Sequence, residues 1–210
     1  MEVYLASFSS SLNVEPYIHI VKKFVNIDIN YKSVQTVIGW FVLIQLLLKK
    51  MDKNDIIFSK NIYGKPYLIG NKFYFNISHS KQKVAVALYS EEVGVDIEKI
   101  ANPNLKIVDR FFTYDEKNFV FLCDNKLKIA ERFYIIWTLK ESYLKYKGVG
   151  FKQSLKSFSF NVLKTGEFIL YLDKDCVFKV KKIDGYIVSC CSKKVIGNNV
   201  NFKEISYFFN

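Results

Sequence analysis

The run from Val34 to Lys50, VQTVIGWFVLIQLLLKK, constrains the fold most, because its apolar side chains cover most sides of a helix. A helix of that kind has no wet face and must be sheathed by other elements. Its most apolar part, Val37 to Leu48, contains Gly39 and Gln45 and falls well short of the ~20 residues that a membrane span needs. The run therefore predicts a buried core helix with Lys49 and Lys50 as cations in its last turn. Met1 to Ser10 lacks a basic stretch followed by an apolar block, so no secretory signal and no membrane association are expected.

Building such a sheath takes chain, and 210 residues are enough for one sizeable core or for two small lobes sharing an interface. Half the residues are hydrophobic, 17% are aromatic and only three are proline, which excludes a disordered or collagen-like polymer. Cys123, Cys176, Cys190 and Cys191 show no metal-ligand spacing. The adjacent pair lies in an apolar segment, where it packs as small hydrophobes, and a reducing cytoplasm is the expected compartment. The formal net charge of +11 fits an anionic partner, whether nucleic acid, a phosphorylated cofactor or an acidic protein, and equally fits a solvated lysine-rich surface.

Ile62 to Gly70 carries Gly64, Pro66 and Gly70 and reads as an exposed loop. Phe73 to Ile77, Val84 to Leu88 and Val93 to Glu98 read as strands, and Asn102, Pro103 and Asn104 then break the pattern. That break predicts lobes at 1–101 and 102–210. Leu105 to Phe112 reads as a short helix, and Thr113 with Glu116 as a capping box. A long helix is expected from about Glu131 to Lys147, stopped by Gly148 and Gly150. Strand-like runs follow at Ser157 to Leu163, Glu167 to Leu172 and Tyr186 to Cys191. Helices and strands are mixed rather than strictly alternating, which predicts an α+β fold with an antiparallel component.

Asp96 and Glu98 sit at i and i+2 of an extended segment, on one face and about 7 Å apart at the α-carbon. An isolated D-x-E is commonly a solvated strand face. Here Trp137, Glu141 and Lys145 fall at i, i+4 and i+8 and line one stripe of the long helix. Three hard oxygen donors without a His/Cys cluster suit Mg²⁺, which takes further oxygens from a substrate phosphate. Asn76-Ile77-Ser78-His79-Ser80 offers backbone N–H groups, hydroxyls and an imidazole to such a phosphate. Gly64-Lys65-Pro66 is a tight turn with a projecting cation.

The order GKP, FNISHS, VGVDIE and WTLKESYLK resembles the Sfp-type 4'-phosphopantetheinyl transferases, and the match runs from about Gly64 to Lys145. The GVGF turn and the SFSF run beyond it are also similar to that family. The resemblance implies two pseudo-twofold-related α+β lobes with coenzyme A in the cleft between them. It implies Asp96, Glu98 and Glu141 as magnesium ligands, and Lys65 with Pro66 beside the adenine. It also implies Ser78 and His79 on the phosphates, and Lys145 with Lys140 neutralising the pyrophosphate. The expected reaction moves 4'-phosphopantetheine onto a serine of an acidic apo carrier protein of fatty-acid, polyketide or nonribosomal-peptide assembly. Lys145 and His79 would stabilise the charge that builds in the transition state, and Glu141 would be the general base.

Phe111 and Phe112 resemble the family's carrier-docking region, and two fused lobes favour a monomer. The chain departs from the pattern twice. Lys81 stands where the family commonly has a glycine, and Gln35 where it often has an arginine for the 3'-phosphate of coenzyme A. Lys22, Lys23 or Lys32 are the candidate substitutes. A family member that binds without catalysis is disfavoured, because all three acids and Lys145 remain. A basic nucleic-acid-binding module is disfavoured because no helix interleaves lysines with aromatics on one exposed stripe and no RNA-binding signature appears.

Overall fold

The structure is a computed structural model describing residues 1–70, 72–122, 125–150, 153–162, 168–170, 173, 175–193 and 200–205. The core helix predicted from the apolar run is α2 (Val34–Leu48), with ten of its fifteen residues buried, so it is enclosed as its composition demands. Ser33 caps it, accepting the Thr36 N–H at 3.1 Å. The helix stops at Leu48, leaving Lys49 and Lys50 just past its last turn. Against α2 lie α1 (Glu15–Phe24) and a four-stranded sheet in the order β11 (Asn201–Ile205), β1 (Glu2–Ser7), β5 (Lys83–Tyr89) and β4 (Tyr74–Ser80).

A second sheet, antiparallel throughout, orders β6 (Val93–Lys99), β10 (Tyr186–Lys193) and β9 (Cys176–Ile183). It carries the long helix α5 (Lys126–Lys147) on one face. The remaining elements are α3 (Leu105–Phe111), α4 (Tyr114–Phe121) and two short antiparallel pairs. These pairs are β2 (Phe58–Lys60) with β3 (Pro66–Leu68), and β7 (Phe160–Val162) with β8 (Phe168–Leu170). The fold is α+β, as expected. The segment read as a loop from Ile62 to Gly70 contains β3, whose pairing with β2 gives the Gly64 turn a rigid base. Two strand pairings cross residue 101, since β6 pairs with β10 and β11 returns to pair with β1.

Three side chains join the two sheets. The edge strands β4 and β6 run side by side, and Asn76 Oδ1 accepts the Val95 N–H at 2.9 Å, Ser78 Oγ the Ile97 N–H at 3.4 Å and Ser80 Oγ the Lys99 N–H at 3.1 Å. Alternate residues of one strand thus satisfy alternate amides of the other with a constant offset, in place of a backbone ladder.

Asn125 caps α5, accepting the N–H groups of Leu127 and Lys128, and Gly148 closes it in the left-handed region at φ 64°. The helix begins earlier than the sequence suggested because the Asn125 cap lies ahead of its apolar positions. Where α5 crosses β6 and β10, small residues let the backbones close up: Thr138 Oγ1 meets Ser189 Oγ of β10 at 2.6 Å, and Ser142 lies over Gly94 of β6. A Cβ on Gly94 would fall 1.9 Å from the Ser142 carbonyl oxygen and 2.4 Å from the Tyr146 nitrogen, both helix backbone. The helix therefore sits one methyl group's depth closer than any other residue at 94 permits.

The expected capping box at α4 is present, with Glu116 accepting the Thr113 N–H at 2.8 Å. Glu116 also accepts the Phe160 N–H at 2.9 Å and pairs with Lys140 at 2.9 Å, both side chains wholly buried. Lys140 completes its three donors on the Leu155 and Phe158 carbonyls at 2.7 and 2.9 Å. Burial lowers the pKa of the ammonium, and the Glu116 charge opposes this. This pair fastens α4, α5 and the chain ahead of β7.

Cys190 and Cys191 are buried and unbridged, as their apolar setting predicts, whereas Cys123, Phe151, Leu163, Glu167 and Leu172 lie outside the described residues. No helix among the described residues is long and apolar enough to cross a membrane.

Gly94→Ala is expected to destabilise the protein by at least about 3 kcal/mol, the upper end of overpacking costs, as read by urea denaturation. Near-wild-type stability would contradict the close helix approach. Lys140→Met leaves Glu116 buried and unpaired, and by the same measurement is expected to cost about 3–5 kcal/mol.

Candidate active site

The β4 and β6 seam and the α5 stripe meet at one cavity of about 310 Å³, lined by Ile77, Ser78, His79, Asp96, Glu98, Trp137, Glu141 and Lys145. The three acids predicted from two separate motifs therefore border the same space. Asp96 and Glu98 point there because they share one face of β6. Trp137, Glu141 and Lys145 do so because they share one stripe of α5.

Asp96 is 4% exposed and its Oδ1 accepts from Ser78 Oγ at 2.8 Å and from Lys145 Nζ at 2.6 Å. Its Oδ2 is buried without a hydrogen-bond partner, as is Oε1 of Glu141. Glu98 accepts from Ser80 Oγ at 2.8 Å. Loss of water and then the neighbouring Asp96 charge raise the Glu98 pKa, against the opposing pull of Ser80, Lys145 and the Trp137 indole N–H. Glu141 is pushed up to about 7, first by desolvation and then by the Asp96 carboxylate, with Glu98 adding to the repulsion and Lys145 opposing it. Crowded, desolvated carboxylates of this kind call for positive charge.

That donor set fits a hard divalent cation. All the ligating atoms are oxygens, and two buried carboxylate oxygens lack partners. As the side chains stand, no three His, Cys, Asp or Glu groups among the described residues are drawn together tightly enough to hold an ion. Lys145 supplies the positive charge to Asp96 instead.

Ser78, expected on a phosphate, has its hydroxyl committed within the protein. It donates to Asp96 and accepts from Lys145 Nζ at 2.8 Å. His79 is exposed at the cavity mouth. Even so, the protein around it, and next the Lys145 ammonium, hold its imidazole below the usual value, against a backbone hydrogen bond and Asp96. Lys140 is a correction to the sequence reading, because its ammonium is wholly enclosed by Glu116 and two carbonyls and faces no cavity. Phe112 is likewise core, 1% exposed and stacked on Phe133, while Phe111 rests half-buried against Trp137.

A second cavity of about 260 Å³ adjoins the first through Glu141 and Lys145, and is walled by Tyr63, Gly64, Lys65, Pro66, Asn76 and Leu144 among others. Lys65 borders it while its ammonium pairs with Glu92 at 2.7 Å and caps α5 through the Tyr146 carbonyl at 3.1 Å. Asn61 adds a bond to the Gly148 carbonyl at 3.0 Å, so the Gly64 turn is docked on the helix end.

The two departures from the family pattern meet at one point. Lys81 adopts φ 52°, the left-handed conformation a glycine would take there, and Gln35 donates to its carbonyl at 3.3 Å.

Sequence reasoning took Asn76 and Ser80 as part of a phosphate-binding stretch and missed that they hold the seam. Their signal was the polar alternation at 76, 78 and 80 in an otherwise aromatic strand, the same period as the D-x-E it faces.

Comparison with known proteins identifies the family. The model of the 4'-phosphopantetheinyl transferase superfamily matches residues 92–191. The 4'-phosphopantetheinyl transferase gsp of Aneurinibacillus migulanus is 32% identical over 177 residues, covering 81% of this chain and 72% of that protein. The 4'-phosphopantetheinyl transferase Sfp of Bacillus subtilis is 36% identical over 148 residues, 68% of this chain and 66% of its own length. Among solved structures, Helicobacter pylori holo-[acyl-carrier-protein] synthase in complex with coenzyme A is similar over 49% of this chain and 99% of its own, with 18% identity and a TM-score of 0.41. Similarity to gsp at 32% identity over most of both chains, together with the family-model match, shows that the chain belongs to the 4'-phosphopantetheinyl transferase superfamily.

Proposed function

We propose that this chain transfers 4'-phosphopantetheine from coenzyme A to a serine of an apo carrier protein, with Mg²⁺ as cofactor. The products are holo carrier and adenosine 3',5'-bisphosphate. The observation that carries this reading is the convergence of Asp96, Glu98 and Glu141 on one cavity, with buried oxygens of Asp96 and Glu141 left without partners.

Asp96, Glu98 and Glu141 would hold the magnesium ion. When bound, that ion neutralises charge on the diphosphate. The 260 Å³ cavity gives the adenine a place between Tyr63, Pro66 and Leu144, with Lys65 at its edge. The lobe of residues 1–101 supplies this adenine side, and the lobe of 102–210 the helix with Glu141 and Lys145.

The carrier serine oxygen attacks the phosphorus next to pantetheine, the bond to the nucleotide phosphate breaks, and the hydroxyl proton passes to Glu141. Lys145 and His79 border the cavity where charge builds on the diphosphate oxygens, and stabilise it more in the transition state than before. The net charge of +11 favours encounter with acidic carriers of fatty-acid, polyketide or nonribosomal-peptide assembly. The proposed setting is a cytoplasmic monomer.

Incubation with coenzyme A, Mg²⁺ and a panel of apo carriers is expected to add one phosphopantetheine mass to a carrier, read by mass spectrometry. Glu141→Gln is expected to slow that transfer by about 10²-fold or more. Unchanged masses across the panel would favour a binding protein without catalysis, and retention of random DNA in a gel shift without coenzyme A affinity would favour a nucleic-acid module.

Gln35 is neutral and engaged with Lys81, so discrimination against dephospho-coenzyme A is expected below the roughly 10- to 150-fold of a dedicated charged contact. Lys22→Ala, Lys23→Ala and Lys32→Ala should narrow the remaining gap in kcat/KM. Equal rates for both substrates, unaltered by these changes, would remove the lysines from the account.

A further inference from the structure

The serines of β4 and the acids of β6 form a repeating unit. Ser78 donates to Asp96 at 2.8 Å while accepting the Ile97 N–H, and Ser80 donates to Glu98 at 2.8 Å while accepting the Lys99 N–H. In each unit the amide fixes the hydroxyl oxygen and leaves its proton for the carboxylate. Ser78 also serves Lys145, but among the described residues the Ser80 hydroxyl bonds along the seam to Glu98 and Lys99 alone.

Trp137 lines the same cavity as Glu98, and its indole, a group that can donate and cannot accept, draws the Glu98 pKa down. Glu98 is thus held by a seam hydroxyl from one sheet and shares its cavity with an indole on the helix that carries Glu141.

We propose that Ser80 and Trp137 are positioning residues that hold the Glu98 carboxylate toward the cavity and thereby set the affinity of the site for its divalent cation. This rests on the reading of Asp96, Glu98 and Glu141 as that cation's donors. A carboxylate held in one rotamer loses less conformational freedom on binding, and the outer partners of ligands commonly contribute on the order of 10- to 100-fold in metal affinity.

The test titrates Mn²⁺, visible by electron paramagnetic resonance, into the full chain saturated with coenzyme A, without carrier and so without turnover. Ser80→Ala and Trp137→Phe are each expected to weaken Mn²⁺ binding on the order of 10-fold. Ser80→Thr, which keeps the hydroxyl, should stay within about threefold of wild type. Melting temperatures report whether each variant is folded, and if Ser80→Ala is not, Trp137→Phe alone decides.

Wild-type Mn²⁺ affinity in Ser80→Ala and Trp137→Phe overturns the proposal. So does equal weakening in Ser80→Thr and Ser80→Ala, which would mean packing rather than a donated proton. Glu98→Gln separates the two levels. If it weakens Mn²⁺ binding while the positioning variants do not, only this inference fails. If it binds Mn²⁺ like wild type, the donor assignment itself falls.

Discussion

Everything at the cleft depends on how two sheets are joined without a backbone ladder. An exposed strand edge carries unpaired amides, and leaving them buried and unmet costs about 1–3 kcal/mol each. The seam meets three of them with Asn76, Ser78 and Ser80, side chains that accept from the amide and, in the serines, still have a proton to give. A carbonyl would have satisfied the same amide and offered nothing further. The hydroxyl turns a structural joint into a holder for Asp96 and Glu98.

The helix side of the cleft obeys the same economy of space. Gly94 and the small side chains of Thr138, Ser142 and Ser189 let α5 lie against β6 and β10, which brings Glu141 to the strand acids. Behind the helix the Lys140 and Glu116 pair fixes its neighbours α4 and β7. Adjacent residues of one motif, Lys140 and Glu141, therefore face opposite ways, one to an enclosed anion and the other to the cavity. A rotation of about 100° per residue makes this unavoidable.

Much of this was legible in the sequence where the interaction was local. The i, i+2 acids, the i, i+4, i+8 stripe and the Thr113 to Glu116 box each follow from the periods of strand and helix, and the structure reproduces them. The burial of Lys140 was also legible, since Ile136, Tyr143 and Leu144, at i−4, i+3 and i+4, are apolar and buried. What was not legible came from long-range pairing. β11 joins β1 from the other end of the chain, and β1, α1 and β9 have patterns too short or too mixed to identify alone. Nor does the residue string reveal that S-x-S and D-x-E lie opposite one another, because nothing local aligns them.

The seam has one more consequence. Two sheet borders that meet only through side chains are borders still, each able to recruit a strand from another molecule once the join is lost. Asn76, Ser78 and Ser80 thus shield the protein from self-association as well as shaping its cleft. A chain in which they are replaced by small apolar residues presents two sticky rims that the native fold keeps covered.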